Sequence, residues 1–268
     1  MRKCDTLPKL PPQPMRTLTV AVCTAALLLL TLLGGGAAVA EVRFFAEAEA
    51  GAATVQYNNI RIPGDDGTRI STTDDLSFDP FATIRLRLGL LVDNTHRISL
   101  LAAPLQYSAW GELPRETRFE DTTFPEGEFV RLAYRFNSWR LTYRYEGSFP
   151  RTPDLRLGIG ATAKIRDAAV SLQGDTGRDE KTDLGFVPLI NLYLHWEITE
   201  TAGLRFELDG LAAPQGRAFD GLIAATWRPT ERVELYLGYR ALEGGADNDE
   251  VFNFTYIHFA VLGIGLHL

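Results

Sequence analysis

The last seventeen residues, Phe252 to Leu268, read FNFTYIHFAVLGIGLHL. Counted back in twos from the end, Leu268, Leu266, Ile264, Leu262, Ala260, His258 and Tyr256 share one parity, while His267, Gly265, Gly263, Val261 and Thr255 hold the other. A period of two means a β-strand, because successive side chains point to opposite faces. One face stays apolar to the final residue, with Tyr and Phe at the far end. That pattern suits a strand crossing lipid with its aromatics at the interface.

The stretch Gly263-Ile264-Gly265-Leu266-His267-Leu268 resembles the C-terminal assembly signal of bacterial outer-membrane proteins, through Gly263 five places before the end and Leu266 and Leu268 at the third-last and last positions. Leu268 stands where that signal usually has an aromatic, and Val261 where it has a polar residue. The resemblance implies a closing strand of an outer-membrane barrel and the barrel-assembly machinery as a partner. A wider set of segments, among them FNSWRLTYRY at 136–145, GFVPL at 185–189, DGLAAPQGR at 209–217 and the run from Gly238 to Phe254, resembles uncharacterised outer-membrane β-barrel proteins. It implies the same fold and location and no particular activity.

At the other end, Leu18 to Leu33 is apolar apart from Thr and Cys, follows Arg16, and runs into GGGAAVA at 34–40. Ala38 and Ala40 make the small-x-small pattern of a signal-peptidase site. The run is shorter than the roughly 20 residues a spanning helix needs. Residues 1–40 are therefore read as a cleaved signal peptide, with translation starting at Met1 or Met15, and residues 41–268 as one domain carried across the inner membrane to the Gram-negative outer membrane.

The whole chain has 27 Lys and Arg against 34 Asp and Glu. Arg2, Lys3, Lys9, Arg16 and Asp5 go with the leader, so the mature chain keeps 23 bases and 33 acids, net −10. An acidic product without a basic tail argues against nucleic acid as a partner. Both cysteines, Cys4 and Cys23, also lie in the leader, which excludes a disulfide framework, a thiolate metal site and a Cys nucleophile from the mature domain.

Beyond Glu41 the recurrent signal is alternation. Ile84, Leu86, Leu88 and Leu90 oppose Arg85, Arg87 and Gly89; Val130, Leu132, Tyr134 and Phe136 oppose Arg131 and Arg135. Trp139, Leu141, Tyr143 and Tyr145 oppose Arg140, Thr142, Arg144 and Glu146, and Leu155 to Ile165 opposes Arg156, Thr162, Lys164 and Arg166. A signal peptide, many such strands, aromatics at strand ends and a terminal strand together predict an all-β, antiparallel transmembrane β-barrel.

Eleven strands are predicted, at 42–52, 81–93, 97–109, 128–136, 139–147, 155–166, 186–196, 204–212, 220–228, 233–241 and 253–268. Both ends on one side of the membrane require an even number. Taking residues 53–62 as a further strand gives twelve, the favoured count; ten is the alternative if one segment does not span. Short links alternate with long polar ones in the C-terminal half, but the rule breaks at Asn137-Ser138, which would be a short turn on the long-loop side.

If the apolar parity faces lipid, the other parity faces the lumen. Arg85, Arg87, Arg131, Arg135, Arg140, Arg144 and Arg156 are the expected lumen-lining residues, with Arg166, Arg205 and Arg240 beside them and Glu47, Glu49, Glu146, Glu207, Asp209 and Glu234 as facing acids. In an open barrel such arginines favour small anionic solutes, a layout similar to that of twelve-stranded porins for acidic oligosaccharides. The alternative is a lumen plugged by Arg–carboxylate pairs, leaving a structural or surface-interaction barrel.

A lipid-modifying enzyme has less support. His96, His195, His258 and His267 lie in no recognisable nucleophile setting, so no catalytic residue and no cofactor is expected. Acidic clusters such as Asp65-Asp66 and Asp247-Asn248-Asp249-Glu250 lack the ligand spacing of a calcium loop, so no metal site is assigned. The remaining expected partners are outer-membrane lipid and lipopolysaccharide.

Overall fold

The structure, a computed structural model, describes residues 40–268. The expected leader before Ala40, with both cysteines and the choice of start, lies outside the described residues. From Val42 the chain is strand and turn throughout. In order it forms β1 (Val42–Arg61), β2 (Ile70–Ser71), β3 (Ser77–Phe78), β4 (Phe81–Val92), β5 (His96–Ala103), β6 (Gln106–Glu112), β7 (Thr117–Phe119), β8 (Thr122–Phe124), β9 (Phe129–Phe149), β10 (Thr152–Gln173), β11 (Arg178–Glu197), β12 (Ala202–Ala213), β13 (Gly216–Thr230), β14 (Val233–Asp247) and β15 (Phe252–His267).

Ten of these close a barrel: β1, β4, β5 and β9 through β15, each antiparallel to its neighbours and in sequence order around the ring. The ring is closed by β15 on β1, from Phe45 opposite His267 to Arg61 opposite Phe252. β6 continues β5 along β9 without change of register. The two are separate only because Pro104 has no N–H to give the ladder. There Phe136 N–H donates to the Leu105 carbonyl at 2.8 Å, and Leu105 N–H donates to Asn137 Oδ1 at 3.2 Å. β3 stands before β4 in the same way, across Pro80, and pairs β6. β2 pairs the end of β1, and β7 and β8 form a small hairpin sheet.

The ten-strand alternative is therefore the architecture, and two errors of segmentation produced the preference for twelve. Residues 53–62 continue β1 past an irregularity between Val55 and Tyr57, and residues 128–136 and 139–147 are one strand. Asn137-Ser138 is mid-strand, so the start of β1, the end of β15 and the tight links at 93–95, 150–151, 198–201 and 231–232 all fall at one end of the barrel. The opposite end carries two long connections, holding β2 and the β7–β8 hairpin, and three short ones. Those three are shorter than the predicted polar loops because the strands run on beyond the apolar band.

That band is the outward parity of the terminal half of each strand. Leu88, Leu141, Ile159, Phe186, Leu237 and Leu262 are all exposed on it. Tyr145, Phe149, Trp196 and Trp227 lie toward the end with the termini, and Trp139, Phe186 and Tyr239 toward the other. From Trp139 to Phe149 is ten residue steps, about 25 Å along the axis at a barrel's usual strand tilt, which matches the hydrocarbon band of outer-membrane barrels.

Beyond the band the two faces exchange chemistry without exchanging direction. In β9, even-numbered residues point inward along the whole strand: Glu146, Arg144, Arg140 and Ser138 in one half, then Tyr134, Leu132 and Val130 in the other. The second set packs with Ile60, Ile62, Tyr107, Phe119, Phe124 and Leu172 into an apolar core capped by the long connections. The terminal half is thus greasy outside and charged inside, and the far half is polar outside and greasy inside.

Two predictions follow from this packing. A Cβ on Gly263 would overlap the ring of Tyr236, whose hydroxyl donates to Glu49 Oε2 at 3.0 Å. Gly263→Val should lower stability by about 1–3 kcal/mol, read from the urea midpoint after refolding in detergent without assembly machinery. An unchanged midpoint would mean that the contact between Gly263 and Tyr236 does not limit stability. At the loop end, Glu128 accepts bonds from the Thr176 amide at 2.8 Å and the Thr176 hydroxyl at 2.6 Å. These bonds to Thr176 hold its carboxyl below the usual range. The tie is present above that range and is lost as pH falls through the lowered midpoint. The Thr176 amide resonance should titrate below about 4.3, the ordinary Glu value, and the titration should vanish in Glu128→Gln.

Candidate functional site

The charged inner faces meet across the lumen in two linked clusters. One centres on Asp220 of β13. Its carboxylate accepts from Arg140 of β9 and Arg240 of β14, both at 2.6 Å, and from Arg85 of β4 at 3.0 Å. Arg140 reaches on to Asp209 of β12 at 2.7 Å, and Arg240 grips Glu49 of β1 with Nε and Nη2 at 2.9 and 2.8 Å. β4 and β9 lie on the far side of the ring from β13, so these contacts span the barrel.

The second cluster centres on Glu207 of β12. Arg87 binds it with two nitrogens at 3.0 and 2.9 Å, the fork geometry that suits guanidinium to carboxylate. Arg205 donates to Glu207 at 2.9 Å and to Glu47 at 3.1 Å. Arg144 donates to Glu146 at 2.6 Å and to Asn191 at 3.2 Å, and its guanidinium lies over the Tyr193 ring at 3.9 Å. Arg97 pairs with Glu146 and stacks 4.0 Å from the Phe45 ring. Several of these are direct cross-strand partners, such as Glu47 opposite Arg87 and Glu49 opposite Arg85. The space left among Glu47, Glu49, Arg85, Arg87, Arg205 and Arg240 is about 10 Å³, room for about one water.

Of the seven arginines expected in the lumen, Arg85, Arg87, Arg140 and Arg144 are in this layer. Arg156 is at its edge, half-exposed at the end with the termini, donating to Glu146 at 2.7 Å and to the Asn94 carbonyl. Arg131 and Arg135 are not in the lumen. Both stand on the outward parity of β9 beyond the apolar band, where Arg135 meets Asp167 at 3.2 Å. Their apolar neighbours Val130, Leu132 and Tyr134 point inward, which reverses the orientation expected from the alternation. Leu266 and Leu268, expected to belong to an assembly signal, are exposed on the outward face.

Three interior residues escaped the sequence reading. Arg97 opens β5 directly after a turn, and Asp220 lies in β13, where inward Leu222 and Ala224 are apolar and hide which parity faces in. Lys164 lies on the charged parity of β10 between Thr162 and Arg166, and nothing in that alternation distinguishes it from the paired arginines. It is 2% exposed, and no carboxylate lies within 4.0 Å of it among the described residues. Its Nζ is 4.7 Å from the Phe136 ring centre. His195 donates to or accepts from Thr226 Oγ1 at 3.1 Å and is an interior wall residue.

Above the charge layer, on the side of β9 to β15, lies a vestibule of about 440 Å³, beside the stretch where β11 and β12 stop pairing at Ile190 opposite Gly210. Arg140, Lys164, Asp209 and Asp220 form its floor, Ile62, Tyr134, Phe136, Leu189, Leu242 and Val251 much of its wall, and Arg166 paired with Asp183 and Arg217 paired with Glu243 its rim. No His and no Ser lines it.

No family model matches the sequence, and no curated protein matches it. Among solved structures it is similar to the outer-membrane protease OmpT of Escherichia coli, at 11% identity over 84% of this chain and 97% of that one, with a TM-score of 0.53. Neisserial surface protein A aligns at 14% identity over 83% of this chain and 96% of its own, with a TM-score of 0.34. The toluene transporter TodX of Pseudomonas putida aligns at 9% identity over 84% and 89%, with a TM-score of 0.33. At such identities the likeness is one of architecture, and the architecture of this chain is that of the bacterial outer-membrane β-barrels.

Proposed function

We propose that this protein is a sealed barrel of the Gram-negative outer membrane that acts by binding at its outer mouth, and is neither a diffusion channel nor an enzyme. The observation that carries the reading is the charge layer. An anion path needs guanidinium groups free to exchange partners with a passing solute. Arg85, Arg87, Arg140 and Arg144 each already hold a carboxylate at 3.2 Å or less, and the gap between the clusters admits about one water. Lipid on the apolar band, lipopolysaccharide around the outer half and the assembly machinery at Gly263, Leu266 and Leu268 complete the proposed setting.

The non-enzymatic reading rests on the vestibule. Asp209 and Asp220 at its floor are held by Arg140 and have no free oxygen positioned as a base: Thr162 and Asn191 both donate to Asp209 Oδ1 at 2.8 Å, and the other oxygen takes Arg140. His96 lies at the opposite end, and His258 points outward beside Tyr239.

The test is the conductance of refolded residues 41–268 in a planar bilayer. No steady conductance is expected; a reproducible open level with an anionic reversal potential would sink the sealed reading and restore the channel. The layer also predicts a stability effect. Asp220→Asn leaves Arg85, Arg140 and Arg240 short of a buried partner and should cost about 3–5 kcal/mol, seen as a lower urea midpoint in detergent. A midpoint within error of the parent would mean that the arginines do not depend on Asp220.

A further inference from the structure

Seven arginines, at 85, 87, 97, 140, 144, 205 and 240, make up the interior layer, with Arg156 at its edge sharing Glu146. Seven carboxylates answer them: Glu47, Glu49, Glu146, Glu207, Asp209, Asp220 and Glu234, the last 3.7 Å from Arg205. Lys164 is left over. The acids beside it on the vestibule floor are occupied, since Arg140, Thr162 and Asn191 take Asp209 and three arginines take Asp220. A buried ammonium with no anion is costly, and the cost falls when one is supplied. The space to supply it is present, because Lys164 faces a cavity of about 440 Å³, within the usual range of small-molecule sites.

The wall restricts what kind of anion fits. Phe136, Tyr134, Ile62, Leu189, Leu242 and Val251 share the vestibule wall with a few polar groups such as Asn253 and Thr255, so a ligand held there has carbon against most of its body. The floor restricts the charge. One free cation stands beside two carboxylates, an arrangement that favours a single negative charge and repels a dianion. The other cations of the lining are paired, Arg217 with Glu243 at 2.8 Å, Arg166 with Asp183, and Lys181 with Glu250 and Glu120, both at 3.4 Å.

We propose that the vestibule binds a monoanionic amphiphile, a carboxylate on an apolar body such as a medium-chain fatty acid, with the carboxylate on Lys164 and the body along Phe136, Leu189 and Leu242. The inference rests on the sealed, binding reading of the barrel and names its ligand. It requires no chemistry on the ligand. The same head-and-tail chemistry is available from a free carboxylate outside the cell or from an acyl lipid of the membrane.

The probe is decanoate, titrated against the refolded mature chain in zwitterionic nanodiscs, with protein-free nanodiscs subtracting partition. Saturable binding is expected in the parent. Lys164→Met, which keeps the length and removes the charge, should weaken it at least tenfold, and decanol should bind at least tenfold more weakly than decanoate. Ala168→Trp, which fills the cavity from its wall, should abolish binding while Lys164 stays in place. Heat-modifiable mobility of both variants checks that the barrel has formed. Equal binding of decanoate to parent and Lys164→Met, equal binding of decanol, or no saturable binding by the parent would each overturn the proposal. Mass spectrometry of lipid extracted from protein purified out of membranes separates the sources: an acyl lipid retained by the parent and lost from Lys164→Met identifies the membrane, and exchange with added decanoate alone identifies a free acid. Conductance is scored separately, so an open pore would refute the sealed lumen while failed binding in a closed barrel would refute only the ligand.

Discussion

A charge withdrawn from water must meet its opposite, and in this barrel the interior of the terminal half is built around that requirement. Asp220 shows how far it reaches. On β13, it collects arginines from β4, β9 and β14, so one carboxylate ties three separate parts of the wall. The geometry depends on strand number. Barrel diameter grows with the number of strands, and ten is narrow enough for an arginine on one wall to reach a carboxylate on the other. With twelve, the same residues would leave water between them, and the same sequence of inward charges would describe a pore. The count of strands and the state of the lumen are therefore one question.

Most of the fold was legible. The alternation in β4, β10, β14 and β15 marks both faces correctly, because each strand there keeps one chemistry per face across the lipid. Six of the seven interior arginines, all but Arg97, and most of their acidic partners lie on the charged parity of the sequence. What could not be read was the level at which a strand leaves the membrane. In β9 the inward parity runs from Glu146 to Val130 without a break, yet its chemistry turns from charged to apolar at Phe136. A reader who assigns the apolar parity to lipid must then insert a turn at Asn137-Ser138 to explain the reversal. That single step created an extra strand, turned Arg131 and Arg135 inward and spoiled the loop rule. The signal was present as two apolar runs of opposite parity in one uninterrupted segment, without Gly or Pro between them.

The reversal also explains why the barrel has a vestibule. Outside the hydrocarbon, a wall facing water must be polar outward, and its hydrophobic burial can only come from within. β2 and the β7–β8 hairpin cover one side of that inner apolar surface and bring Phe119 and Phe124 to the core. The side of β10 to β14 has only short connections, and the β7–β8 turn reaches it through Glu120 on Lys181 without filling it, so its apolar wall remains as a lined cavity. The unequal distribution of the long connections sets where the opening falls.

Charge balance then decides what the opening offers. A layer matched arginine for carboxylate has no residual field with which to select a ligand, and such a layer would seal the lumen and present only a neutral floor. Lys164 is one cation beyond the match, placed at the one level where the paired layer meets the apolar cavity. Met or Leu at this position would complete the wall and suit burial better on physical grounds, since an unpaired ammonium is among the least favourable groups to enclose. As an ammonium beside Phe136, Lys164 is unfavourable in the empty barrel, and an anion in the vestibule would lower that cost. The stability of the fold and the proposed chemistry of the vestibule thus pull in opposite directions at this residue.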